Sequence, residues 1–152
     1  MFLCGKQKLC KVPLSPKKSP VRWRNSNLKT ILFVDDHEVL ARLSCDILEM
    51  NGYKAISAYS GADALAKFDG GDIDLVVTDF RMDGMNGLEL ANNLRKRQPD
   101  VPIIMVTGYG KLDHVKDITV LTKDTLFPTL LDEIKQYLGD GEAEADQVLH
   151  AS

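Results

Sequence analysis

Cysteine is scarce in this chain. Cys4, Cys10 and Cys45 are three residues, an odd number that builds no disulfide framework and suits a reducing compartment. No apolar run approaches the roughly 20 residues that a membrane-spanning helix needs. The start, Met1-Phe2-Leu3-Cys4-Gly5-Lys6, is apolar only at Phe2 and Leu3 before lysines appear, which is too little for a secretory h-region. A cytoplasmic protein without a transmembrane segment is therefore expected. Acid is missing altogether from residues 1–28, which hold seven bases together with Pro13, Pro16 and Pro20. Such a stretch buries too little apolar surface to offset its ordering entropy, so 1–28 reads as a flexible basic arm. The rest of the chain carries twelve bases against twenty-two acids, and residues 139–152 read as an acidic tail. Of the 152 residues, about 29–138 are left for one folded domain.

Within that span, strand-like and helix-like segments alternate. Short runs rich in Val, Ile and Leu lie at about 30–35, 53–58, 73–78, 102–107 and 118–122. Runs this short and this apolar read as strands buried on both faces of a parallel sheet. Between them, Val39, Leu40, Leu43, Ile47 and Leu48 recur at helical spacing, stopped by Asn51-Gly52. Ser60 caps a second helix, Asn86-Gly87 opens a third, and Pro128 suits the first turn of a last one. This alternation implies an α/β sheet with right-handed crossovers. Only ten residues, 108–117, separate the fourth and fifth strands. A parallel crossover needs about that many in total, so the fourth helix is expected to be a stub or a loop.

In an open parallel sheet the carboxyl ends of all strands share one edge, where ligands bind. Asp35 and Asp36 end the first run, Asp79 the third, Thr107 the fourth and Lys123 the fifth. Three carboxylates, a hydroxyl and an ammonium converging there would hold a hard cation and an oxyanion. Mg²⁺ favours oxygen ligands and is usually held by one or two carboxylates plus phosphate oxygens. Thr107 can hydrogen-bond a phosphoryl oxygen and Lys123 can pair with another. An aspartate can itself accept a phosphoryl group as an acyl phosphate. Other candidates read as structural: His37 as a solvated helix residue, His114 as a surface residue, and Met82, Met85 and Cys45 as packing. Trp23 lies in the arm, away from this edge.

Four blocks carry a family resemblance: Val34-Asp35-Asp36-His37-Glu38, Thr78 through Leu90, Val106-Thr107-Gly108-Tyr109-Gly110, and Thr122-Lys123. Over about 29–138 the chain resembles the CheY-like receiver domain of two-component response regulators. The resemblance implies a doubly wound, flavodoxin-like five-stranded parallel sheet of order 2-1-3-4-5, with the fourth helix shortened or missing here. It implies that Asp79 is the phosphoacceptor, loaded from the phosphohistidine of a histidine kinase or histidine phosphotransfer protein. Mg²⁺ would be held by Asp35, Asp36, Asp79 and the Arg81 backbone carbonyl. Thr107 and Lys123 would contact the phosphoryl group, and Arg81 and Tyr109 would tune its lifetime. Such a protein promotes its own phosphorylation and dephosphorylation and is not a conventional turnover enzyme.

The chain departs from the family pattern near its fifth strand. Asp124 follows Lys123 where proline with a cis bond is usual. A cis non-proline bond costs about 2.5–4 kcal/mol, so a trans bond and an altered approach of Lys123 are expected, with Asp124 competing for the ammonium. Val120 occupies the position of the family's switch aromatic, so the usual readout is expected to be absent or rerouted. Only fourteen residues follow Leu138, so no DNA-binding domain is expected and output would pass through an unidentified protein partner. The alternative is a degenerate receiver used as a phosphorylation-independent docking module. A haloacid-dehalogenase-type hydrolase ranks below both, because it needs a second Asp two residues after the nucleophile.

Overall fold

Strand side chains alternate between faces, so a strand apolar at every position must be covered on both sides. The structure, a computed structural model that describes residues 28–108 and 115–139, has this arrangement. Strands β1 (Thr30–Val34), β2 (Lys54–Ala58), β3 (Leu75–Asp79), β4 (Ile103–Thr107) and β5 (Thr119–Thr122) are all parallel, in the order β2-β1-β3-β4-β5. The connecting helices are α1 (Glu38–Met50), α2 (Gly61–Asp69) and α3 (Gly87–Arg97). A single 3-10 turn, Lys123–Thr125, then leads into α4 (Leu126–Leu138). Ile31, Phe33, Leu75, Val77, Ile104 and Val106 pack with Ala41, Leu48, Leu130 and Ile134 on one face. Leu32, Val34, Val76 and Ile103 pack with Ala64, Phe68, Leu90 and Leu94 on the other.

Local chemistry sets the helix starts. Ser60 accepts the Asp63 N–H at 3.0 Å, and Asn86 accepts those of Leu88 and Glu89, both at 2.9 Å. Among the described residues no helix lies between β4 and β5. Residues 115–118 form a turn in which Ile118 N–H bonds to the Val115 carbonyl, and Asp117 is left-handed at φ 61°. The Arg95 guanidinium, from α3, donates to the Asp117 carbonyl and ties this connection down. The arm up to Asn27 (with Cys4, Cys10 and Trp23), Tyr109 and His114, and the tail from Asp140 lie outside the described residues.

Cys45 is buried in α1 as expected, and burial pushes its thiol up to about 11, with Glu49 and then Asp46 adding to the effect. Thiolate is the reactive form, and about a hundredfold less of it exists at pH 8 than for a thiol with its ordinary pKa. With Cys4 and Cys10 replaced by serine, alkylation of Cys45 at pH 8 should be at least that much slower in the folded chain than in urea. Mass spectrometry reads the rates; equal rates in both states would contradict the buried placement.

Candidate functional site

β1 delivers Asp35 and Asp36 to the carboxyl edge. Asp35 N–H bonds to the Ala58 carbonyl of β2 at 3.1 Å, which fixes the backbone where the strand ends. The Asp35 side chain is only 2% exposed, and both of its oxygens are used. Oδ1 accepts the His37 N–H at 2.9 Å, and Oδ2 accepts from Lys123 Nζ at 3.2 Å. Asp36 is half-buried, and its Oδ1 is shielded from solvent without a hydrogen-bond donor. Asp79 is the last residue of β3, in register with Val106 and 6% exposed. Its Oδ2 lies 3.5 Å from Lys123 Nζ, and the Arg81 backbone N–H also bonds to the carboxylate. Thr107 ends β4, fully enclosed and in register with Thr122, the residue before Lys123.

All five strand-end residues thus meet at one edge, and one ammonium bridges carboxylates from two strands. Burial raises the Asp79 carboxyl above its ordinary value, and the nearby Asp35 charge adds to this against the pull of Lys123. For Lys123, burial works against the charged form, but Asp35 and Asp79 together outweigh it and raise the ammonium above its ordinary value. No peptide bond among the described residues is cis. The Lys123–Asp124 bond is trans as expected, and Asp124 does not draw the ammonium away: the ion pairs of Lys123 run to Asp35 and Asp79, and Asp124 is exposed. Val120 is half-buried on β5 beside Met105. Met82 and Met85 pack into the core as read, and Arg81 is exposed.

His37, expected as a solvated helix residue, is exposed but sits one position before α1, with extended backbone and no side-chain capping bond. Its Nδ1 lies 3.4 Å from Asp35 Oδ1 and 3.3 Å from Asp36 Oδ1. Ligand atoms of Asp35, Asp36 and His37 all fall within 4.8 Å of one another. The signal in the sequence was the uninterrupted Asp-Asp-His at a strand–helix junction, where a residue before the helix can fold its side chain back over the strand end. This acidic cluster can coordinate a metal ion. Asp36 Oδ1 is shielded, makes no hydrogen bond and has the His37 imidazole nitrogen 3.3 Å away, so two carboxylates and a ring nitrogen face one small space.

Gly87 contributes by what it lacks. A Cβ there would lie 2.5 Å from the Asp79 carbonyl oxygen and 3.0 Å from Phe80 Cα, both backbone atoms that cannot turn aside. Its N–H bonds to the Phe80 carbonyl at 2.9 Å, so α3 starts pressed against the end of β3. Gly87→Ala should therefore displace Asp79 and destabilise the fold by about 1–3 kcal/mol, the usual cost of overpacking. A urea melt reads the stability. Parent-like stability would show the contact to be slack.

A model of the response regulator receiver domain family matches residues 31–127. The transcriptional regulatory protein GlrR of Escherichia coli (strain K12) is 32% identical over 116 residues, covering 70% of this chain. That match is 26% of GlrR, so the chain spans about a quarter of that relative's length. The response regulator protein TrrA of Thermotoga maritima, solved in complex with Mg²⁺–BeF, is 34% identical with a TM-score of 0.67, covering 72% of this chain and 99% of that one. TrrA solved in complex with the histidine kinase ThkA is similar to this chain at 34% identity and a TM-score of 0.66, over 73% and 99% of the two chains.

Proposed function

The chain belongs to the response regulator receiver domain family of two-component signalling, whose members are phosphoacceptors rather than conventional enzymes, and on that footing we propose that Asp79 is the acceptor. The observation that carries this reading is the pairing of Lys123 Nζ with both Asp35 (3.2 Å) and Asp79 (3.5 Å) at the carboxyl edge of the sheet. A buried carboxylate held by one movable ammonium can exchange that partner for a phosphoryl group.

Asp79 attacks phosphorus through a carboxylate oxygen while the bond to the donor nitrogen of a phosphohistidine breaks. Asp35, Asp36, Asp79 and the Arg81 carbonyl would hold Mg²⁺, which when bound would supply positive charge to offset that of the phosphoryl group. Lys123 leaves its carboxylate partners for a phosphoryl oxygen, and the Thr107 hydroxyl donates to another. Arg81 and, by the family resemblance, Tyr109 would tune the lifetime of the phosphoryl group. Residues 29–138 form the receiver unit. The phosphoryl donor is a histidine kinase or histidine phosphotransfer protein, supported by the ThkA–TrrA complex of a similar chain. Output passes to a protein partner across a face altered by Val120.

Intact-protein mass after incubation with acetyl phosphate, with and without Mg²⁺, tests the reading. A metal-dependent gain of one phosphoryl group is expected. No gain from acetyl phosphate or from a phosphorylated kinase, with no binding of beryllofluoride, would leave the docking-module alternative.

A further inference from the structure

His37 is not needed for the magnesium site just described, yet its imidazole is turned onto two of that site's carboxylates. Resting on that reading of the site, we propose that His37 Nδ1 is a further protein ligand beside those oxygens, so that this chain takes a first-row transition-metal dication such as Mn²⁺ in preference to Mg²⁺. The spacing fits. Neighbouring ligand atoms about 2.1 Å from one cation lie roughly 3.0 Å apart in an octahedron and roughly 3.4 Å apart in a tetrahedron. The imidazole nitrogen lies 3.4 Å from Asp35 Oδ1 and 3.3 Å from Asp36 Oδ1. The ring makes no helix-capping bond, and its side chain is 77% exposed, so it can adjust at little cost. Its backbone is held in place by the N–H bond to Asp35 Oδ1 at 2.9 Å. Asp36 Oδ1, shielded and without a donor, completes the set.

The donor set decides the ion. Mg²⁺ is hard, keeps its waters and gains little from an imidazole. Nitrogen donors suit first-row transition metals, and affinity rises from Mn²⁺ towards Cu²⁺. An all-oxygen set suits both ions; adding one nitrogen separates them. The competing account makes His37 a neighbouring charge that pairs with the aspartates. In that case its removal changes Mg²⁺ and Mn²⁺ affinity by the same factor.

The test uses the full chain carrying His114→Ala and His150→Ala, so that His37 is its only histidine. Mn²⁺ binding is followed by electron paramagnetic resonance, counting only the Mn²⁺ that excess Mg²⁺ displaces. Pulsed measurements on that bound ion read coupling to an imidazole nitrogen. The expected result is a nitrogen coupling that vanishes in His37→Ala, with Mn²⁺ affinity falling at least about tenfold and Mg²⁺ affinity changing less than about twofold. Absence of nitrogen coupling, or equal changes for both ions, overturns the ligand assignment while leaving the phosphoacceptor reading intact. Failure to bind either ion, with no metal-dependent phosphoryl uptake, overturns both.

Discussion

Asp79→Asn is expected to eliminate Mg²⁺-dependent phosphoryl uptake. An amide oxygen has neither the charge nor the nucleophilicity to displace the donor, so the loss should exceed about a hundredfold. Asp35 is the nearest substitute, but its two oxygens are engaged by the His37 N–H and by Lys123. Phosphoryl stoichiometry by intact mass reads the effect, and a phosphoryl group on another residue at the parent level would sink the acceptor assignment. The same variant should be more stable than the parent in metal-free buffer at neutral pH. The sign follows from the raised Asp79 carboxyl, whose burial outweighs the attraction of Lys123. The native state holds this proton at pH values where the unfolded chain has released it. Rising pH above the ordinary 3.8 therefore costs the parent stability until the folded value is passed. Asparagine removes that loss, so the two melting curves converge as pH falls through the carboxylate range. A parent that gains stability over that range relative to Asp79→Asn would contradict the placement of the carboxylate.

The sheet was legible because both faces are covered. Every residue of Ile31–Val34 and Leu75–Val77 is buried, and unbroken apolar runs of that length have few other homes. Strand limits were less so, because single hydrogen bonds decide them. Asp74 uses its carboxylate to accept the Thr30 N–H at 2.8 Å, so β3 begins at Leu75 rather than at Ile73. Tyr53 N–H closes the end of α1 on the Leu48 carbonyl, leaving Lys54 to start β2. Ile118 turns back on Val115, and β5 starts one residue late. At the site, strand-end positions were readable from spacing, since topology alone brings them to one edge. Side-chain partnerships were not: neither the fold of His37 over the aspartates nor the contact between Gly87 and the Asp79 carbonyl follows from a pattern of residue types. That Asp124 leaves the ammonium to Asp35 and Asp79 is not readable from sequence for the same reason. Its neighbour's ammonium is placed by the 3-10 turn at Lys123–Thr125, which no periodicity announces.

Lys123→Met should separate two roles that the ammonium combines. Without metal, Lys123 is the counter-charge for Asp35, 2% exposed, and for Asp79, 7% exposed at the side chain. Removing one partner of a buried pair costs about 3–5 kcal/mol. Lys123 keeps 28% of its side chain exposed, so a loss nearer about 1–3 kcal/mol in metal-free buffer is expected. The raised ammonium contributes stability below its ordinary 10.5 that is lost as pH rises through the folded value, so the difference should narrow only in strong alkali. Mg²⁺ reverses part of the deficit, because the ammonium no longer opposes a cation at the same carboxylates. A repulsion of about 1 kcal/mol between like charges in water-like surroundings corresponds to roughly fivefold tighter Mg²⁺ binding. Asp79 and its neighbouring aspartates remain, so phosphoryl uptake persists at reduced rate. What disappears is the pull on β5: beryllofluoride should slow hydrogen exchange along β4 and β5 in the parent and leave it unchanged in Lys123→Met. Weaker Mg²⁺ binding in the variant, or a parent-like exchange response, would show that Lys123 neither guards the carboxylates nor reports the phosphoryl group to the strand that carries Val120.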